Sequence, residues 1–295
     1  MTNISYLLKP SRKKLFLFFT PAVLLFFFVI ILPMFISIRY SLYEWSGGPN
    51  MKYVGIENYL NLISDKIFWH AFKNNLIIIG LSVLGQIGIA FFLASLLNSR
   101  FLKAKDFHRT VIFFPVVLSA VVIGFLWTMI YNNNYGILNW MLESLNLEFL
   151  IRYWLDDPRI VIYTTTIPLI WQYIGFYLII FSSSIQNIPK EIFEVAEIDG
   201  VNSFQRIIHI TLPLMYNTLI VAIMLCIAGN MKVFDHIYVM TGGGPGRSSM
   251  VMAQYAYNNS FSMFKLGYGS AISMGIFILS FGIILITRKI MGGKK

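Results

Sequence analysis

Residues 188–214 read IPKEIFEVAEIDGVNSFQRIIHITLPL, an acid-bearing interlude between two long apolar stretches, about Ile160 to Ile185 and Leu214 to Val239. Its first half has a helical period. Ile192, Val195 and Ile198 form one apolar stripe with Phe193 and Ala196 beside it, while Glu191, Glu194 and Glu197 recur every three residues on the polar side. Pro189 suits the first turn, where its missing N–H would have no partner in any case. Gly200 ends the helix, Asn202 or Ser203 caps a second short one, and Pro213 stands at the entry to the next apolar stretch. The segment predicts a helix, a turn and a helix lying across one face of a membrane domain. Three glutamates argue against a resting place among anionic headgroups, which attract polybasic faces. A docking helix for a soluble partner accounts for the charge better.

The remainder of the chain sets this loop in a bilayer. Of 295 residues 57% are hydrophobic and 12% charged, about half the charged fraction of a soluble domain, which excludes an ordinary water-soluble globule. Six apolar stretches stand out: about Leu15 to Ile38, Leu76 to Leu97, Val111 to Ile130, Ile160 to Ile185, Leu214 to Val239 and Ala271 to Ile286. Each approaches the roughly 20 residues that cross about 30 Å of hydrocarbon as a helix. None alternates polar and apolar residues as a barrel strand does. The expected fold is therefore all-α, an integral membrane protein with six transmembrane helices. The first stretch is too long for a secretion signal and lacks an A-x-A site, so it reads as a retained helix. With no internal repeat in view, the expected parse is one membrane domain, 15–289, with the polar loop 188–213 and short tails, 1–14 and 290–295.

Basic residues give an orientation. Fourteen of the 23 Lys and Arg residues lie in the N-terminal tail (Lys9, Arg12, Lys13, Lys14), the second connection (Arg100, Lys103, Lys105, Arg109), the fourth (Lys190, Arg206) and the C-terminal tail (Arg288, Lys289, Lys294, Lys295). The positive-inside rule then predicts both termini and the acidic loop in the cytoplasm. The net charge of +10 is thereby explained as topology, and a nucleic-acid surface is not needed.

Catalytic and metal chemistry find little footing. There is no G-x-x-x-x-G-K-[ST], and GGGPGRSS at Gly242 to Ser249 carries Arg where a phosphate loop has Lys, so it reads as an outer loop of flexible turns. His70, His108, His209 and His236 lie in separate connections without ligand spacing, and the single Cys226 excludes a disulfide and a thiolate cluster. Ser182, Ser183 and Ser184 lack a G-x-S-x-G frame and read as helix packing. Asp156 and Asp157, in WLDDPRI, read as a turn cap before the fourth stretch.

Polar residues inside spans are functional candidates, because lipid exposure is costly. Gln172, Tyr173 and Tyr177 lie in the fourth stretch and Asn230 in the fifth; counted from Ile188 and Pro213, Gln172 and Asn230 both sit roughly 25 Å from the acidic loop at about 1.5 Å per residue. Together with Trp171 and Phe176 they offer amides for hydroxyls and rings for C–H faces, a suitable lining for a sugar pathway. For each residue alone, interfacial anchoring or helix–helix bonding is the plainer account. Lys232 and Asp235, three apart, most simply form an ion pair near the outer end of the fifth stretch.

At EVAEIDGV followed by ITLPL the sequence resembles the EAA motif of ATP-binding-cassette importer permeases, matched by Glu194, Ala196, Asp199, Gly200, Ile210, Leu212 and Pro213, with Val195 and Val201 in place of the usual alanines. VGIENYLNLI, FFPVVLSAVVIGFLW, WQYIGFYLIIFSSSIQNIPKEIFE and FDHIYVMTGGGPGRSSM extend the resemblance over nearly the whole chain, toward permeases for carbohydrates that pair with a different second permease. The resemblance implies a MetI-like permease fold, half of a translocation pathway in a bacterial or archaeal cell membrane, surrounded by lipid. It also implies an import function powered elsewhere: two cytoplasmic ATPase subunits holding ATP and Mg, coupled through Glu194, Ala196, Asp199, Gly200, Leu212 and Pro213, with an extracytoplasmic sugar-binding protein docking on outer loops, Tyr131 to Arg159 among them. No cofactor is expected on this chain. A stand-alone secondary transporter would show two related halves, and a membrane-embedded transferase would show clustered carboxylates near the membrane surface.

Overall fold

The computed structural model describes residues 11–98 and 102–293, apart from the side chain of Arg12. Lys9, Arg100, Lys294 and Lys295, used above for orientation, lie outside the described residues. The chain forms two compact units, one from residues up to 64 with 259–274, the other from 65–258 with 275–295.

In the first unit, α1 (Lys13–Tyr40) is preceded by Ser11, whose Oγ accepts from the Lys14 N–H, and carries a π-helical turn at Phe27–Ile31. None of its most apolar window is buried within the chain, so those side chains require lipid or another protein around them. Strands β1 (Tyr43–Trp45) and β2 (Met51–Tyr53) pair antiparallel with Glu44 opposite Lys52. The end of α1 is tied by α2 (Glu57–Ser64): Asn58 Nδ2 donates to Ser41 O at 2.8 Å and Tyr43 O at 3.0 Å.

The second unit holds the helices that build the site. Asp65 caps α3 (Lys66–Leu97) through the N–H groups of Ile67 and Phe68. Next, α4 (Lys105–Val117) and α5 (Ala120–Ile130) meet at 97°. Leu118 and Ser119 between them have extended backbones, and Pro115 removes one of the N–H groups that would have carried the helix forward. After α6 (Ile137–Ser144), α7 (Val161–Gln186) runs through the centre of the unit, with Leu178, Phe181 and Ile185 packed against Ile87, Ala90, Ala94 and Cys226. Thr164, Thr165 and Thr166 return their hydroxyls to carbonyls of the preceding turn, which lets polar side chains sit inside the unit. Then follow α8 (Lys190–Ile198) and α9 (Ser203–Leu214), which meets α10 (Tyr216–Met231) at 76°. Beyond them lie α11 (Asp235–Thr241), α12 (Met252–Tyr257) and the final helix α13 (Leu266–Gly292).

Of the six expected spans, α1, α3, α7 and α13 are continuous helices long and apolar enough to cross a bilayer, and the other two are broken pairs, α4 with α5 and α9 with α10. Apolar composition reports burial in lipid but is blind to a bend, so the two breaks were invisible to it. The fifth span also ends earlier than expected, at Met231 rather than Val239, because Lys232 and Phe234 leave helical geometry and α11 begins anew at Asp235.

Candidate functional site

Two features stand at different levels of the second unit. One is the polar loop. Pro189 precedes α8, Gly200 turns the chain with φ +70°, and Asn202 caps α9 in a reciprocal box with Gln205: Asn202 Oδ1 accepts from Gln205 N at 2.9 Å and Gln205 Oε1 from Asn202 N at 3.0 Å. The helix–turn–helix form is as expected. Phe193 and Ala196 turn inward, Ala196 to 5% exposure, with Arg206 over the Phe193 ring. Ile192, Val195 and Ile198 face outward, Ile198 at 84% exposure, together with Glu191, Glu194, Glu197 and Asp199. The apolar stripe is thus exposed. Ile192 and Val195 line a shallow groove with Ala196, Val201 and Ile210. Leu212 and Pro213 lie in the last turn of α9, before the bend at Met215.

The other feature is a cavity of about 490 Å³ in the middle of the unit, lined among others by Gln86 from α3, Tyr173, Phe176 and Tyr177 from α7, Cys226 and Asn230 from α10, and Lys232, Asp235 and His236 beyond it. Its volume lies within the range of small-molecule sites. Tyr173, Phe176, Tyr177 and Asn230 are therefore brought together on one wall. Trp171 and Gln172 are not. Trp171 points away, 41% exposed, with its ring edge-on to Trp127 at 6.1 Å. Gln172 is buried behind the wall with both ends of its amide occupied: Nε2 donates to Leu118 O at 2.9 Å and Oε1 accepts from His236 Nε2 at 2.7 Å. It joins the break between α4 and α5 to α11.

Asn230 is likewise held by the protein, donating to Cys226 O at 2.8 Å and accepting from Ser82 Oγ at 3.3 Å. Gln86, which the sequence reading passed over, donates to Leu169 O at 3.3 Å. Its position in a long apolar stretch was the signal that could have found it. Lys232 and Asp235 make no ion pair: with α10 ending at Met231 they start different segments, so a spacing of three no longer brings them onto one helical face.

Asn74 and Asn75 of α3 hold the end of α10 and the connection between α11 and α12. Asn75 Nδ2 donates to Asn230 O and its Oδ1 accepts from Met252 N, while Asn74 Nδ2 donates to Ser248 O and Met250 O. The Gly242–Ser249 loop is pinned: Ser249 Oγ bonds Thr241 Oγ1 and donates to Gly244 O. Asp157 Oδ1 caps a turn at Arg159 N, and Ser184 bonds Thr218 between α7 and α10.

Residues 86–287, from the middle of α3 to the end of α13, match the family described as binding-protein-dependent transport system inner membrane component. The chain belongs to that family. The permease is 35% identical to a probable ABC transporter permease protein, YurN, of Bacillus subtilis over 93% of this chain and 94% of that one. It is 31% identical to the trehalose/maltose transport system permease protein MalF of Thermococcus litoralis over 98% and 97%. Among solved structures, a bacterial alginate ABC transporter in complex with an alginate pentasaccharide-bound periplasmic protein contains a chain of the same fold, with a TM-score of 0.81 at 22% identity over 93% and 92% of the two chains. The permease is thus a transport component of the inner membrane and not an enzyme family member, and its bent and straight helices are those of the MetI-like permease fold.

Proposed function

We propose that this permease is one transmembrane half of an ATP-driven carbohydrate importer in a bacterial or archaeal cell membrane, completed by a second, different permease. Both termini and α8 would face the cytoplasm, and ATP and Mg would reside on two separate ATPase subunits. The single observation that carries this reading is the outward face of α8. Ile192, Val195 and Ile198 are exposed on a helix whose other side is anchored by Phe193 and Ala196. Leaving Ile198 in water forfeits on the order of 1.5–3 kcal/mol of available burial, and the partly exposed Val195 and Ile192 less, which a docked ATPase would recover. Glu194, Ala196, Asp199 and Gly200 would form the contact, with Leu212 and Pro213 passing the motion into the bent α9–α10 pair.

The substrate pathway would run through the 490 Å³ cavity, with Tyr173, Phe176, Tyr177 and Asn230 on its wall and Trp171 and Gln172 supporting it from behind. A sugar carried by an extracytoplasmic binding protein would enter from the outer loops. That the relatives include a trehalose/maltose permease and a transporter crystallised with an oligosaccharide-loaded periplasmic protein supports the carbohydrate class. ATP on one side and the loaded binding protein on the other would bias a two-state opening.

The test is affinity purification of the tagged chain from its own cells in mild detergent. Recovery of an ATPase and a second permease is expected, with the ATPase lost in Glu194→Ala and Gly200→Glu while the second permease stays. Recovery of the chain alone, unaffected by either substitution, would point to a stand-alone transporter.

A further inference from the structure

The polar groups on the cavity wall divide into two kinds. Gln86, Asn230 and His236 are already held by protein partners: Leu169 O, Cys226 O with Ser82 Oγ, and Gln172 Oε1. Lys232 and Asp235 also line the cavity, both are exposed, and neither side chain hydrogen-bonds to a described residue. One group is a donor with no acceptor capacity, the other an acceptor with no donor capacity. They are kept apart by the backbone, since Lys232 terminates α10 at φ −108° and Phe234, at φ −142°, breaks the path to α11.

A hydroxyl satisfies both kinds at once, because it donates and accepts. Two adjacent hydroxyls placed between the groups would give the carboxylate a proton donor and the ammonium an acceptor, in charge-assisted bonds stronger than those between neutral partners. Phe176 and Tyr177, which also line the cavity, offer apolar surface to the C–H side of such a ligand. Lys232 and Asp235 cancel in net charge. A ligand bringing its own carboxylate or phosphate would therefore be repelled by Asp235 as much as it is drawn to Lys232.

We propose that Lys232 and Asp235 are the specificity-determining pair of this cavity, binding a neutral sugar through neighbouring hydroxyls and selecting against uronic acids and sugar phosphates. The inference rests on the carbohydrate-importer reading above. The amides expected from sequence to read the sugar instead hold the wall in place.

The experiment uses the complex as purified with its partner subunits, without the binding protein, and measures direct binding by equilibrium dialysis. Radiolabelled maltose and trehalose serve as neutral probes, digalacturonate and glucose 6-phosphate as acidic ones. The expected result is binding of at least one neutral probe and neither acidic one. Binding is expected to weaken at least tenfold in Asp235→Asn and Lys232→Met and to recover partly in Asp235→Glu and Lys232→Arg. Asp235→Asn also leaves a net positive rim and is expected to admit digalacturonate.

Co-purification of the ATPase with each variant shows that the fold is retained. Acidic probes preferred by the native complex, unchanged neutral binding in both variants, or binding of none of the four probes overturns the proposal while leaving the importer reading intact. Failure of any ATPase to co-purify with the native chain overturns the importer reading itself.

Discussion

Gly175 and Gly200 are glycines for different physical reasons. At Gly175, on α7, a Cβ would overlap the carbonyl oxygen of Ile112, because α4 and α7 touch backbone to backbone there. Gly175→Ala must push two helices apart, an overpacking change of about 1–3 kcal/mol. The variant is expected to melt several degrees lower in detergent, read by fluorescence-detected size exclusion, and Gly175→Leu to be poorly recovered. At Gly200 there is open space around the position but φ is +70°. A side chain is strained there by roughly 1–2 kcal/mol, and the rest of the fold does not depend on it. That is why Gly200→Glu is expected to spare membrane insertion and the second permease while removing the ATPase. A single cooperative melting transition for Gly200→Glu, lowered by about 2–5 °C, would be the matching observation.

Among the helices, the break between α4 and α5 has a specific restraint. Its exposed carbonyl, Leu118 O, is paired by Gln172 from the straight α7, and the same amide holds His236 at the start of α11. Close packing of Gly124 on Val239 then makes α5 and α11 neighbours along their length. Gln172→Leu would leave the buried His236 ring nitrogen unpaired, at about 1–3 kcal/mol, and would free the partly buried Leu118 carbonyl at the break. The expected consequence is at least tenfold faster amide hydrogen exchange in 119–124 and 236–241, with α8 unchanged. Equal exchange in the variant and the native chain would show that the amide does not restrain the break.

For the molecule in its membrane, the charge pattern makes a topological prediction. Cys226 is fully buried, so the native chain is a quiet background for thiol labelling. A membrane-impermeant maleimide applied to intact spheroplasts is expected to label Gly48→Cys but not Lys103→Cys until the membrane is opened. Labelling in the reverse order would invert the orientation and place α8 away from cytoplasmic ATP.

The sequence settled much at the level of elements. Apolar length alone located the four continuous spans and the two bent pairs that stand where the other two were expected, because hydrocarbon admits only backbone that pairs within its own segment. The turn chemistry of Pro189, Gly200 and Asn202 set out the helix–turn–helix of the polar loop, since capping and positive φ are decided by neighbours in the chain. Spacing placed Gln172 and Asn230 at one depth, but only Asn230 lines the cavity. What the sequence by itself could not decide was which face of α8 is covered, whether a span bends, and which polar atoms are already paired. Gln172 and Asn230 look alike as intramembrane amides, yet one is sealed behind the wall and the other lies on it. Lys232 and Asp235 look like an ion pair until the helix between them stops. Each of these outcomes depends on partners 50 or more residues away, or on where a backbone leaves the helix, and only the packed tertiary structure fixes such contacts.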